Sequence, residues 1–293
     1  MSQFVRAAVE KITTAPTQRY ETLGVQPLTP IIGAEVSGVD LSRPLEGVQL
    51  AELKRAFLRH HVLVFRDQHI QPDDQRRFAQ YFGSLKVLPI SKVDGGDPNI
   101  LDITASKDSE FVVGTEWHTD GTAEEAPSLG SILYIKQTPA LGAGGDTLFA
   151  NMHLAYEMLS PAMRQFLDGL TAMHDGIVPW REYGYEPPEG LEIPRTEHPV
   201  VVRHPETGRK LLYVNSGFTT HIVQLAPPES KPLLDMLIRL PQQEPILSCR
   251  VRWQPNTVVL WDNRCTQHHA VWDYYPFDRF GQRVTIEGSR PTA

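Results

Sequence analysis

The residues best placed to do chemistry are His118 and Asp120, two positions apart in WHTD, and a distant pair, His268 and His269, in WDNRCTQHHA. In extended chain, residues i and i+2 point to the same side. An H-x-D at a strand end therefore offers one imidazole and one carboxylate to a single metal ion. A third ligand must come from elsewhere, and a remote histidine is the usual source. Two imidazoles and one carboxylate on one face of an octahedron leave three positions open, the donor set of non-haem Fe(II) oxygenases. A closed structural zinc site would use four ligands, typically with thiolates. The chain has 11 histidines, so an H-x-D alone arises readily by chance. If His268 and His269 share a strand, only one can face the ion, and spacing leaves open which.

Several separated motifs add specificity. They are WHTD, GGDTLFA at 144–150, LYVNSGFTTHIV at 212–223, and WDNRCTQHHAVWDY followed by R-x-x-x-R. From about Val25 to the C-terminus the chain resembles the taurine dioxygenase family, which also includes alkylsulfatase and aryloxyalkanoate dioxygenases. The resemblance implies that His118, Asp120 and His268 bind Fe(II), with 2-oxoglutarate and O2 as cosubstrates, and that His269 is not a ligand. It implies that Thr147 and Arg279 hold the far carboxylate of 2-oxoglutarate; arginine suits this because its planar fork bonds both carboxylate oxygens. Arg283, four residues on, shares a face with Arg279 in an extended strand. By resemblance it meets the substrate's anionic group, while Asn263 and Arg264 support the site.

The resemblance is incomplete around the substrate. Leu88 and Ser91 stand where taurine-specific members carry a His and a Tyr, and an Asn before the metal motif is replaced near Gly114. Trp180 falls where the family has a pocket Phe, Phe218 keeps an aromatic, and Trp117 either walls the pocket or fills the core. The implied pocket is cationic at one end and apolar at the other. It suits a small anionic substrate, namely a sulfonate, a sulfate ester, or an aryloxy or other carboxylate, whose hydroxylated product can fragment. A biosynthetic hydroxylase of an amino acid or natural-product intermediate uses the same scaffold. A zinc hydrolase would leave the two arginines without a purpose, and a silent binding protein would not need the ligand set. Relatives of this kind are often dimers or tetramers, so a homo-oligomer is expected.

These residues need a scaffold of strands. VLVF at 62–65 and TVVLW at 257–261 read as buried strands, CRVRW at 249–253 alternates, and RVTIEG at 283–288 reads as a final strand. Helices are expected at 48–60, 72–82, 151–169 (restarting at Pro161) and about 229–239. The Pro- and Gly-rich stretch 176–198 reads as a lid-like loop. Many short strands with few helices predict a mainly β chain with flanking helices, an α+β fold of sandwich or jelly-roll type; the resemblance makes it a double-stranded β-helix. Residues 1–24 read as an N-terminal extension and 25–293 as one dioxygenase domain. A net charge of -7 argues against nucleic-acid partners. No apolar run nears the roughly 20 residues of a membrane helix. The N-terminus lacks a secretory core, and the chain has only two cysteines, so a cytoplasmic location is expected.

Overall fold

The computed structural model describes residues 3–16, 18–87, 97–140 and 142–293. The fold is mixed α+β with several sheets. In chain order the elements are α1 (Gln3–Thr13), β1 (Gly24–Pro27), β2 (Ala34–Ser37), α2 (Gly47–His60), β3 (Val62–Phe65), α3 (Pro72–Gln80), β4 (Ile100–Ala105), β5 (Gly130–Gln137) and β6 (Thr147–Asn151). Then come α4 (Met152–Glu157), α5 (Pro161–Leu167), β7 (Thr171–Asp175), α6 (Ile177–Glu182), β8 (Arg195–Pro199), β9 (Val201–Arg203), β10 (Lys210–Leu212) and β11 (Thr219–Ile222). The chain ends with α7 (Pro227–Ile238), α8 (Leu240–Gln243), a 3-10 turn (Pro245–Leu247), β12 (Ser248–Val251), β13 (Thr257–Asp262), β14 (Thr266–Ala270) and β15 (Arg279–Ile286).

The uniformly apolar runs become interior strands, as a strand covered on both faces must. β3 and β13 are buried at every position and pair antiparallel, Val62 opposite Trp261. They lie at the centre of a seven-stranded sheet ordered β1-β2-β3-β13-β5-β15-β4. A three-stranded sheet, β12-β6-β14, faces a core that joins Phe149, Cys249 and Val251 to Val64, Leu133 and Trp261 of the larger sheet. Two more small sheets, β11-β7-β8 and β10-β9, complete the β-structure among the described residues.

Helix boundaries follow local chemistry. Ser160 caps α5 by accepting the Met163 N–H, and Pro161 occupies the first turn, where a missing N–H does no harm. α3 stops at Gln80, two residues short of the expected end. Within residues 1–24, Ala8 and Ile12 are four apart on α1 and bury one stripe of that helix in the core shared with α4. The stretch 176–198 is not one loop: Ile177–Glu182 is helical, and β8 takes up its end.

Candidate functional site

The H-x-D is not on a strand. His118 instead forms an isolated antiparallel bridge with His268: each backbone N–H donates to the other's carbonyl, at 3.1 and 2.8 Å. That bridge brings the two rings to a centroid distance of 4.1 Å. His118 Nε2 and His268 Nε2 lie 3.6 and 3.8 Å from Asp120 Oδ1. His268 and His269 do share β14, and strand alternation separates them: His268 faces Asp120, whereas His269 turns away and stacks on Trp117 at 5.6 Å.

Small residues and hydrogen bonds fix this cluster. His118 Nδ1 donates to the Glu116 carbonyl at 2.7 Å, which leaves Nε2 with its lone pair free. The Asn263 side-chain oxygen accepts the Asp120 N–H, and its Nδ2 donates to the carbonyls of Asp120 and Ser128. A Cβ on Gly217 would stand 2.8 Å from that of His118, so only glycine lets the backbone pass so close. Gly114, at φ +90, is likewise tight against the His118 ring. Burial, then His118, pushes the His268 imidazole down to about 3, so it is neutral and able to ligate. Burial alone would raise the Asp120 carboxyl, but Arg283, His268 and His118 outweigh it and hold it well below the usual range. A buried anion beside two imidazole nitrogens is a donor set for a divalent cation.

The site opens into a cavity of ≈ 580 Å³ lined by Thr147, Phe218, Arg279 and Arg283 as well as His118, Asp120 and His268. Thr147 and Phe149 on β6 share the inward face with His268 and Ala270 on β14. β15 begins four residues earlier than expected and so carries both arginines on one face. Arg279 is 6 % exposed and its Nε has no hydrogen-bond partner. Arg283 Nη1 donates to Asp120 Oδ1 at 3.3 Å, and its Nε is also unpartnered. Two guanidinium groups with spare donors therefore face a cavity beside a metal-type cluster. At the rim, burial and then Glu116 push the Glu182 carboxyl up.

Two expected pocket residues lie elsewhere. Trp117 is buried in the core that includes Tyr213 and Val214 and does not line the cavity. Trp180 sits on α6, but the cavity is lined by its neighbours Pro179, Glu182 and Tyr183. Leu88 and Ser91 fall outside the described residues. Sequence reasoning missed Trp253, whose Nε1 donates to Thr147 Oγ1 at 3.0 Å and whose ring lies 5.5 Å from the Arg279 guanidinium. Its alternation with Cys249 and Val251 was the available signal. Gly217 was missed too, since no local pattern reveals a close approach to a residue a hundred positions away.

The sequence model for the taurine catabolism dioxygenase TauD, TfdA family matches residues 24–285. An alpha-ketoglutarate-dependent sulfate ester dioxygenase of Pseudomonas putida is 34% identical, the match covering 92% of this chain and 91% of that one. A taurine dioxygenase structure from Burkholderia xenovorans superposes with a TM-score of 0.79 at 36% identity, covering 92% of this chain and 91% of that one. The structure of AAD-2 in complex with Mn(II) and N-oxalylglycine gives a TM-score of 0.79 at 26% identity, covering 93% and 100%.

Proposed function

This chain belongs to the TauD/TfdA family and is an alpha-ketoglutarate-dependent dioxygenase, and we propose that it hydroxylates a small organosulfur anion, a sulfate ester or sulfonate, with an apolar body. The single observation that carries this reading is the convergence of His118, Asp120 and His268 at the floor of a cavity that also holds two arginines with unpaired donors. The proposed scaffold is the double-stranded β-helix, formed by the seven-stranded sheet against β12-β6-β14.

In this reading the three side chains hold Fe(II). With 2-oxoglutarate and O2 the iron supplies an oxidation in which the 2-oxo acid becomes succinate and CO2 and one oxygen atom enters a substrate C–H bond. Arg279 and Thr147 fix the far carboxylate of 2-oxoglutarate, and the Trp253 indole holds the Thr147 hydroxyl in place. Arg283 orients the substrate's sulfur-borne anion. Leu101, Ile103, Val112 and Phe218 give the body an apolar wall that excludes water. Glu116 and Glu182 at the rim repel a second anionic group, so the substrate carries its charge at one end only. When hydroxyl enters the carbon bearing a sulfate ester, the product breaks down to an aldehyde and sulfate.

The relatives support this choice, because one acts on sulfate esters and a solved neighbour is a taurine dioxygenase. The test is succinate release from Fe(II)-loaded protein with a panel of sulfate esters, sulfonates and aryloxy acids. His118→Ala and Asp120→Ala are expected to abolish substrate-dependent succinate. Full turnover by either variant sinks the ligand assignment, and turnover confined to aryloxy acids sinks the substrate class.

A further inference from the structure

The turn joining β13 to β14 serves a second cluster of ligand-type side chains, distinct from the one above. His61 closes α2, His153 lies on α4, and Cys265 ends the turn. Their ligand atoms all lie within 4.8 Å of one another, and the three residues are 2 %, 0 % and 1 % exposed. From these observations we propose that His61, His153 and Cys265 form a second, fully interior site for a borderline transition-metal ion of the Zn(II) type.

Three features carry the proposal. His61 Nδ1 stands 3.4 Å from Cys265 Sγ. Around a tetrahedral ion with bonds of about 2.3 Å to sulfur and 2.0 Å to nitrogen, the S···N edge is about 3.5 Å. His153 Nδ1 lies 2.9 Å from the Lys210 carbonyl oxygen, which can only accept, so Nδ1 carries the proton. Its Nε2 is then a bare acceptor, buried and without any hydrogen-bond partner. A buried acceptor left unpaired is destabilising, whereas an imidazole held through one nitrogen by a carbonyl and bare at the other is how metal-bound histidines are oriented.

The surrounding charge accommodates a cation. Asp262 is completely buried beside Cys265 and is held by Arg264 and His204. Arg209 pairs with Glu157 at 3.3 Å. Burial, reinforced by Asp262, pushes the Cys265 thiol well up, so the metal-free thiol keeps its proton and a metal ion must displace it. Binding thus exchanges one thiol proton, released to solvent, for one metal–sulfur bond. The ion would tie α2 and α4 to the turn that carries Asn263, the residue that holds Asp120.

Because the site is interior, the probe must be present as the chain folds. The full chain is produced in Co(II)-supplemented medium, and its near-ultraviolet spectrum and metal content are measured. The wild type and Cys249→Ala are expected to show a sulfur-to-cobalt charge-transfer band. Cys265→Ala is expected to lose that band and one equivalent of bound cobalt. His118→Ala is expected to retain the band, which keeps this site separate from the first. If Cys265→Ala fails to fold, His153→Gln gives the same reading through loss of the band. Absence of the band from the wild type, or its persistence in Cys265→Ala or His153→Gln, overturns the proposal.

Discussion

Replacing Arg279 with methionine separates a structural role from a binding role. The side chain is 6 % exposed, its Nε is unpartnered, and burial lowers its pKa, outweighing the opposing pull of Tyr274 and Asp146. A guanidinium so placed stabilises little until a carboxylate arrives. Methionine keeps much of the volume and removes the charge, so the ligand-free variant should unfold at the wild-type denaturant concentration or above it. The 2-oxoglutarate carboxylate, in contrast, would enter an apolar slot with its partner gone. Truncating one member of a buried charge pair costs about 2–5 kcal/mol, or roughly 30- to 5,000-fold in Kd. The assay is equilibrium unfolding with saturating Mn(II), which blocks turnover, and with 2-oxoglutarate at one hundred times the wild-type Kd. Wild type should gain about 2.7 kcal/mol, and a variant weakened 30-fold no more than about 0.9 kcal/mol. Equal ligand-induced stabilisation in the two proteins refutes the carboxylate anchor. A large loss of stability without ligand refutes the claim that Arg279 waits for a partner.

Other substitutions probe the supports. Gly217→Ala places a Cβ 2.8 Å from that of His118; metal affinity should fall about 10- to 100-fold and the metal-free unfolding midpoint should fall with it, and unchanged affinity in equilibrium dialysis counts against the close-approach argument. Asn263→Ala leaves the Asp120 N–H and two carbonyls without their partner; stability should drop by about 1–3 kcal/mol, and dialysis should show faster metal loss. Asp262→Asn removes the buried partner of Arg264 and leaves it only Glu206 as an ion pair, and urea unfolding at neutral pH should show a loss of about 3 kcal/mol. Burial would raise the Asp262 carboxyl, yet Arg264 and His204 hold it well below 3.8. Its contribution is therefore present above that value and fades as pH falls toward the folded pKa, so the variant should lose less stability than wild type below pH 4.

Much of the site was legible because its chemistry is local. His118 and Asp120 advertise themselves by spacing, and Arg279 and Arg283 by an even offset that holds once β15 includes both. The choice between His268 and His269 was legible from the family resemblance and not from spacing, because it depends on the phase of β14 relative to Phe149 across the sheet. Trp180 was expected in the pocket because it falls where the family has a pocket Phe, whereas the short helix over 177–182 turns Pro179 and Glu182 to the cavity instead. The cluster at His61, His153 and Cys265 was invisible for a plainer reason: its members come from three remote segments and share no motif. In the fold, the apolar runs at 62–65 and 257–261 declared central strands, but the order of seven strands depends on long-range pairing that no local pattern encodes.

The working parts of the cavity are divided between opposed sheets, with His268 and Thr147 on one and both arginines on the other. Phe149, Val251 and Trp261 act as the spacer that sets the gap. Packed interiors transmit strain rather than absorb it, and a shift of about 1 Å at a reacting centre can forfeit on the order of a hundredfold in rate. The tolerance of this enzyme is thus set by oily side chains that carry no chemistry of their own. A single methylene shaved from that spacer should detune the distance between the His118–Asp120–His268 cluster and Arg279 while leaving every polar group intact.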